Sequence, residues 1–375
     1  MKVVIAIDKF KGSLTSAEAA DTIEQAVLSL YPACDVAKIP VSDGGDGLIA
    51  ALVPSLGGKY QRVQVADPLM RQIRASYGIL PDNTAVIELA AASGLALLSP
   101  DEYNPMITST YGTGQLIADA LQRGITDFIL GIGGSVTNDA GTGILDALGY
   151  RFLNKLGNKV RPCGGTLAAI AFIDSSSCNP LLDKAHFRVA CDVDNPFCGK
   201  QGAAYVFAPQ KGADEMMVKE LDKGMEHFAS IIEDKTGKYI RNIPGAGAAG
   251  GVGGALLAFL HAKLLPGIDL VLDALHFDRQ IKGTDLIITG EGKIDRQTLH
   301  GKVVKGVAER AKRQRIPAIA FTGKLEYNSA LKQLGLTGIY PINPPDMPVE
   351  KAMQPDRAKG NLYKTAREAL AQYSP

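Results

Sequence analysis

Short apolar runs that each end in a loop of acidic, glycine and lysine residues constrain this chain more than any other feature. Val3 to Ile7 runs into Asp8-Lys9-Phe10-Lys11-Gly12-Ser13, Val36 to Val41 into Ser42-Asp43-Gly44-Gly45-Asp46-Gly47, and Leu286 to Ile288 into Thr289-Gly290-Glu291-Gly292-Lys293. A helix-forming stretch follows each of them, so the pattern reads as strand, loop, helix. Apolar strands that alternate with helices build parallel sheets buried on both faces, and the loops leaving the strand C-termini gather along one edge. Helix N-termini there offer free N–H groups to anions. Lysines beside carboxylates on such an edge suit a phosphate-bearing substrate together with a divalent cation that screens it.

The first helix is marked by Thr15 and Glu18 at capping-box spacing and by Ala19, Ile23, Val27 and Leu30 near the helical period, with an end expected at Tyr31-Pro32. From Tyr60 the period changes to two. Val63 and Val65, then Ile73, Ala75, Tyr77 and Ile79, alternate with polar residues as half-buried antiparallel strands do. Helix and strand then alternate again, with a helix near Gln115 to Arg123, a strand Phe128 to Ile132, a helix near Gly143 to Leu148 and a strand Arg188 to Cys191. After Gly267 the simple rhythm resumes: strand Leu286 to Ile288, helix Val303 to Arg313, strands Ala318 to Phe321 and Ile339 to Ile342. The two ends resemble each other more than either resembles the middle. The expected fold class is therefore α/β with two domains, residues 1–60 and 270–375 forming one discontinuous doubly wound domain and residues 61–269 an inserted mixed α/β domain. A chain of 375 residues exceeds the size at which one core usually keeps growing, which agrees.

Composition excludes several function classes. Forty basic against 39 acidic residues leave a net charge of +1, which gives no general attraction for nucleic acid or an anionic membrane. No apolar run reaches membrane-spanning length, and the first apolar stretch is too short for a signal peptide. The five cysteines form no C-x-x-C pair, so neither a disulfide framework nor a zinc site is expected, and reduced thiols in the cytoplasm are. The five histidines fall into no metal-ligand spacing.

Three further segments carry chemistry. Gly131 to Gly143 combines Gly133 and Gly134 with Ser135, Thr137, Asn138 and Asp139, a mixture suited to wrapping phosphates or a small polyol acid. Asp192-Val193-Asp194-Asn195-Pro196 leaves a strand with two carboxylates, although an Asx turn before proline would explain them equally. Gly245-Ala246-Gly247-Ala248-Ala249-Gly250 spells G-x-G-x-x-G, but Arg241-Asn242-Ile243-Pro244 before it is no apolar strand. As a dinucleotide fingerprint it fails on context, and a helix start packed closely on a ligand or a neighbouring backbone is the better reading. No G-x-x-x-x-G-K-[ST] and no kinase-type H-R-D set are present.

Taken in order, Asp8 to Ser13, Ser42 to Gly47, Gly131 to Gly143, Asp192 to Pro196, Gly245 to Gly251 and Thr289 to Gly292 resemble the type-1 glycerate kinase family along essentially the whole chain. The resemblance implies ATP- and Mg²⁺-dependent phosphorylation of D-glycerate, most often at the 2-hydroxyl, and a Rossmann-like domain built from both chain ends with a second α/β domain inserted. Val136 and Ala140 stand where the family commonly has smaller residues, and Asp194 and Phe197 are mildly atypical, which makes Asp192 the better catalytic candidate of that pair. On this reading Lys9 and Lys11 neutralise the transferring phosphoryl oxygens, with Asp8, Ser13, Gly44 and Gly45 in the same phosphate- and substrate-binding set. Gly133, Gly134, Ser135, Thr137, Asn138 and Asp139 line the substrate, and Arg71 or loop N–H groups hold the glycerate carboxylate. Asp43 and Asp192 are candidates to accept the hydroxyl proton, and Asp46 and Glu291 to hold Mg²⁺. Substrate and nucleotide are expected to meet in an interdomain cleft. Two alternatives stand beside this reading: a dinucleotide-dependent oxidoreductase of a small hydroxy acid, and a non-enzymatic carboxylate-binding protein. Lys9 and Lys11 occupy the position where the oxidoreductase needs a glycine-rich turn.

Overall fold

The computed structural model describes residues 1–45, 47–326 and 329–372. The chain divides into two compact units, Met1–Asp43 with Gly267–Pro375, and Gly44–Pro266. The N-terminal crossing at Asp43 comes earlier than the residue 60 suggested by the change of period. The helix Leu48–Ser55 and the strand that follows it lie with the middle of the chain rather than with its ends.

The unit built from both ends holds a five-stranded sheet in the order Gly338–Pro341, Ala318–Leu325, Leu286–Ile294, Lys2–Ile5, Asp35–Lys38, every pair parallel. Val3, Ile5, Ile7, Leu286, Ile288, Ile319 and Phe321 point to one face. There Ile23 and Val27 of the helix Ser16–Leu30, with Leu362, Ala366 and Leu370 of the helix Pro355–Ala371, close a core. On the other face Ala320 packs with Val304 of the helix Val303–Arg313. Helices on both faces make the sheet doubly wound, and alternate residues of each strand go to opposite layers as the pleat requires. From Lys2–Ile5 the chain crosses one face to the neighbour on one side, and from Leu286–Ile294 it crosses the other face to the neighbour on the other. The C-terminal edge between these two central strands is therefore the topological switch point, where open α/β sheets bind ligands.

The strand at Leu286 is longer than its apolar run. It continues through Ile294, pairing Glu291 with Thr322, Lys293 with Lys324 and Ile294 with Leu325, so Thr289-Gly290-Glu291-Gly292-Lys293 is extended sheet and not the loop expected. The reason is local. A Cβ on Gly290 would stand 2.2 Å from the Phe321 carbonyl oxygen, so glycine lets the two backbones pair past the end of the apolar run.

The middle unit holds a six-stranded mixed sheet ordered Lys263–Leu265, His186–Ala190, Asp127–Gly131, Thr84–Glu88, Gln72–Ile79, Lys59–Ala66. The first four strands are parallel, and the last two join antiparallel as the two-residue alternation indicates. Phe128 and Phe187 stack across neighbouring strands at 4.6 Å between ring centroids, at the centre of one continuous core. Among the described residues no helix is long and apolar enough to cross a membrane.

Candidate functional site

At the switch point of the end-built unit, the first strand hands over to Ala6, Ile7 and Asp8, whose N–H donates to the Gly290 carbonyl at 3.0 Å. That bond draws Asp8 alongside the third strand, in the electrostatic range of Glu291 and of Asp43. The Asp8 carboxylate accepts the Lys9 N–H at 2.7 Å. Burial is the largest influence on it and the Asp43 charge the next, and together they push its pKa up from 3.8 to about 7 against the Lys9 contributions. Glu291 is buried and raised in the same direction, again chiefly by burial, while it accepts from Thr298 Oγ1 at 2.7 Å and pairs with Lys302 Nζ at 3.3 Å.

Lys9 is half-buried and Lys11 exposed. Lys11 sits in a tight turn closed by the Phe10 N–H donating to the Leu14 carbonyl at 2.8 Å and the Ser13 N–H to Phe10 at 2.8 Å. The helix after it starts at Ser16 with the capping box in place, Glu18 N–H to Thr15 Oγ1 at 3.2 Å and Thr15 N–H to Glu18 Oε2 at 3.0 Å. This helix start thus carries its own carboxylate, and the two lysines stand upstream of it rather than on it. The hydroxyls of Ser13 and Thr289 are buried with no hydrogen-bond partner among the described residues.

The middle unit carries the second polar centre. Gly133 and Gly134 are exposed at the tip of the loop after the strand Asp127–Gly131, whereas Ser135, Thr137, Asn138 and Asp139 are buried beneath it. Asp139 is saturated by its own surroundings. It accepts from Thr110 N–H and Oγ1, both at 2.8 Å, and from the N–H groups of Gly141 and Gly143, both at 3.1 Å. Burial raises its pKa, and these donors oppose the shift. Its carboxylate organises the loop and is fully enclosed by the protein. Asn138 is fully enclosed and donates to Met225 Sδ at 3.2 Å. The Gly245–Gly251 segment packs on the same loop: a Cβ on Gly250 would fall 2.2 Å from the Thr137 carbonyl, and the Ala140 N–H donates to the Gly250 carbonyl at 2.9 Å. A neighbouring backbone, not a dinucleotide, explains those glycines.

Gly44 and Gly45 lie against this loop from the other direction, since Cβ atoms built on Gly131 and Gly133 would meet the Gly44 carbonyl at 2.8 Å and Gly45 Cα at 3.2 Å. Glu88 ends its strand by accepting the N–H groups of Gly47 at 3.0 Å and Ile49 at 2.9 Å, capping the helix Leu48–Ser55. Arg71 is exposed, but its guanidinium bonds Asp67 at 2.5 Å and Glu102 at 2.6 Å. A second anion must compete with two carboxylates for it. Asp192 is exposed after the strand His186–Ala190, and Asp46 lies outside the described residues.

Sequence reasoning missed Lys211. It is fully buried, donates to Ser135 Oγ at 2.8 Å and to the Thr137 carbonyl at 2.6 Å, and is driven down to about 7 by burial, with the Asp139 charge opposing. Nothing in its flanking Pro209-Gln210 and Gly212-Ala213 marks it, because both partners lie about 75 residues upstream. Among the described residues no three His, Cys, Asp or Glu side chains are grouped so as to hold a metal ion.

The chain matches the family model described as "Glycerate kinase family" over residues 3–374. It is 45% identical over 373 residues to a Bacillus subtilis protein named glycerate kinase, covering 99% of this chain and 97% of that one. It is 43% identical over 344 residues to an Escherichia coli protein named glycerate 2-kinase, covering 91% and 90%. A crystal structure from Salmonella typhimurium described as a glycerate kinase 2 superimposes with a TM-score of 0.88 at 42% identity, covering 99% of this chain and 97% of that one.

Proposed function

Because the chain belongs to the glycerate kinase family, we propose that it transfers the terminal phosphoryl group of ATP to the 2-hydroxyl of D-glycerate, giving 2-phosphoglycerate and ADP. Family membership makes it a phosphotransferase with an alcohol acceptor. The choice of the 2-hydroxyl follows the name of the Escherichia coli relative. The observation that carries the reading is Asp8, a carboxylate at the switch point of a doubly wound sheet, raised to about 7 beside Asp43 with Lys9 and Lys11 next to it. A base is most effective when its pKa lies near the working pH, since it is then both ionised and basic enough to take a proton.

In this account the substrate hydroxyl gives its proton to Asp8 while its oxygen bonds the γ-phosphorus. The bond from that phosphorus to the β–γ bridging oxygen breaks, and ADP leaves with the electron pair. Phosphoryl transfer needs little covalent help, so positioning and charge neutralisation do most of the work. In this proposal Lys9, half-buried and next to Asp8 in the chain, neutralises charge developing on the transferring oxygens, helped by the exposed Lys11. The exposed Gly133-Gly134 tip offers close backbone approach to an anionic group of a substrate. Arg71, held by Asp67 and Glu102, is the weaker candidate for the glycerate carboxylate.

The described residues do not form a resident metal site: Glu291 is engaged by Thr298 and Lys302, and no group of three ligands is present among them. Mg²⁺ is commonly held by one or two carboxylates plus substrate phosphates, so in this proposal it arrives with the nucleotide.

A coupled ADP-release assay with D-glycerate, followed by phosphorus NMR of the product, tests the reading. Glycerate-dependent ADP release and a 2-phosphoglycerate signal are expected. Equal turnover without glycerate, or hydride transfer to a nicotinamide cofactor, would remove it, and a 3-phosphoglycerate signal would correct the regiochemistry.

A further inference from the structure

Lys211 is the buried charge that the proposed chemistry leaves unused. It sits at the end of the short turn Pro209–Lys211, its N–H bonded to the Ala208 carbonyl at 2.9 Å. Its ammonium reaches under the glycine-rich loop to Ser135 Oγ and the Thr137 carbonyl. The loop is fixed on its other side by backbone bonds, Leu95 N–H to the Gly134 carbonyl at 2.9 Å and Val136 N–H to the Ser93 carbonyl at 3.0 Å. Thr108 Oγ1 adds a bond to the Val136 carbonyl at 3.1 Å. Residues 134, 135, 136 and 137 are thus each gripped, and the exposed pair Gly133-Gly134 is the part left to meet a ligand.

Burying an ammonium costs several kcal/mol unless geometry and partners compensate it. Here the partners are two neutral oxygens, and Asp139, the one carboxylate that acts on it, is occupied by four donors at 3.1 Å or less. Simple filling of the space would be met by methionine, which has nearly the same volume and no desolvation penalty. A cation under the loop does two things methionine cannot. It pins Ser135 and Thr137 in one arrangement, and in its protonated form, which burial confines to below about pH 7, it places positive charge behind the exposed Gly133-Gly134 tip.

We propose that Lys211 is a positioning residue for substrate binding, holding the Gly133-Gly134-Ser135 tip in the conformation that accepts an anionic group of glycerate or of the nucleotide. This rests on the reading of that loop as a substrate loop. The steady-state constants of Lys211→Met, Lys211→Gln and Gly134→Ala, each checked for folding by circular dichroism, provide the test. A positioning role raises the KM of one substrate by at least about tenfold in Lys211→Met, the loss expected for one charge-assisted hydrogen bond, and leaves kcat within about threefold. Lys211→Gln, which keeps a donor, gives an intermediate rise of about three- to tenfold. If Lys211→Met does not fold, Lys211→Gln alone decides, and an unchanged KM in it overturns the proposal. An unchanged KM in folded Lys211→Met with a raised KM in Gly134→Ala also overturns the lysine's role but leaves the loop as a substrate loop. Unchanged constants in all three would remove both.

Discussion

The two polar centres differ in what their carboxylates are for. Asp139, in the middle unit, is buried and surrounded by donors from Thr110, Gly141 and Gly143, so its charge is spent on holding a loop in shape. Asp8, in the end-built unit, has the Lys9 N–H as a donor and two like charges within range, and its environment resists ionisation until about pH 7. Burial raises both, but at Asp139 the donors oppose the shift, whereas at Asp8 the Asp43 charge adds to it. Groups destabilised by their surroundings tend to serve chemistry, while saturated ones serve architecture.

Substituting the Asp8 carboxylate should separate activity from stability most widely. Asp8→Asn is expected to lower kcat by about a thousandfold, within the range for loss of a general base, yet to stabilise the fold at pH 8. The sign follows from linkage. With a native pKa near 7 above an unfolded value near 3.8, the native state binds more protons than the unfolded state between those values, so wild-type stability falls as pH rises through that window. Asparagine removes this slope. Urea unfolding at pH 5 and pH 8 measures it, and equal slopes in both proteins would place Asp8 with the saturated carboxylates.

Lys9→Ala should come next, with kcat reduced by about a hundredfold, or roughly 3 kcal/mol of transition-state stabilisation, in a protein that keeps its circular dichroism spectrum. Near wild-type kcat would return Lys9 to an ordinary half-buried lysine.

Asp139→Asn sharpens the contrast from the opposite side. An amide nitrogen cannot accept the N–H groups that the carboxylate now receives, so about 3 kcal/mol of stability should be lost in urea unfolding. A loss of activity with no loss of stability would mean that Asp139 meets substrate after all. The smallest effect belongs to Ala140, which holds φ at +53° in the same loop. Ala140→Gly should stabilise by up to about 1 kcal/mol, because glycine relieves the left-handed strain at the cost of a more flexible unfolded chain.

Much of this architecture is legible in the residues themselves. Apolar runs closed by Asp8 and Asp43, the capping box at Thr15, and the alternation from Val63 to Ile79 report local preferences that the fold obeys. The extension of the third strand to Ile294 is not local: it depends on Gly290 lying under the Phe321 carbonyl, a contact made only once the sheet exists. The same limit applies to the site. An aspartate facing a ligand and one enclosed by backbone N–H groups are spelled identically, so Asp139 and Asp8 look alike until folding separates them. Arg71 reads as an available cation because its partner Glu102 lies 31 residues away. Lys211 is silent for the same reason.

The dependence of kcat/KM on pH in the wild type and in Asp43→Asn tests the central claim, that Asp8 is the base and is held near neutrality by burial and its neighbour. The wild-type profile should rise through an acid limb near pH 7, and removal of the Asp43 charge, the second-largest influence raising Asp8, should move that limb to lower pH. A limb that stays in place in Asp43→Asn, or a wild-type profile flat through neutrality, would contradict the account.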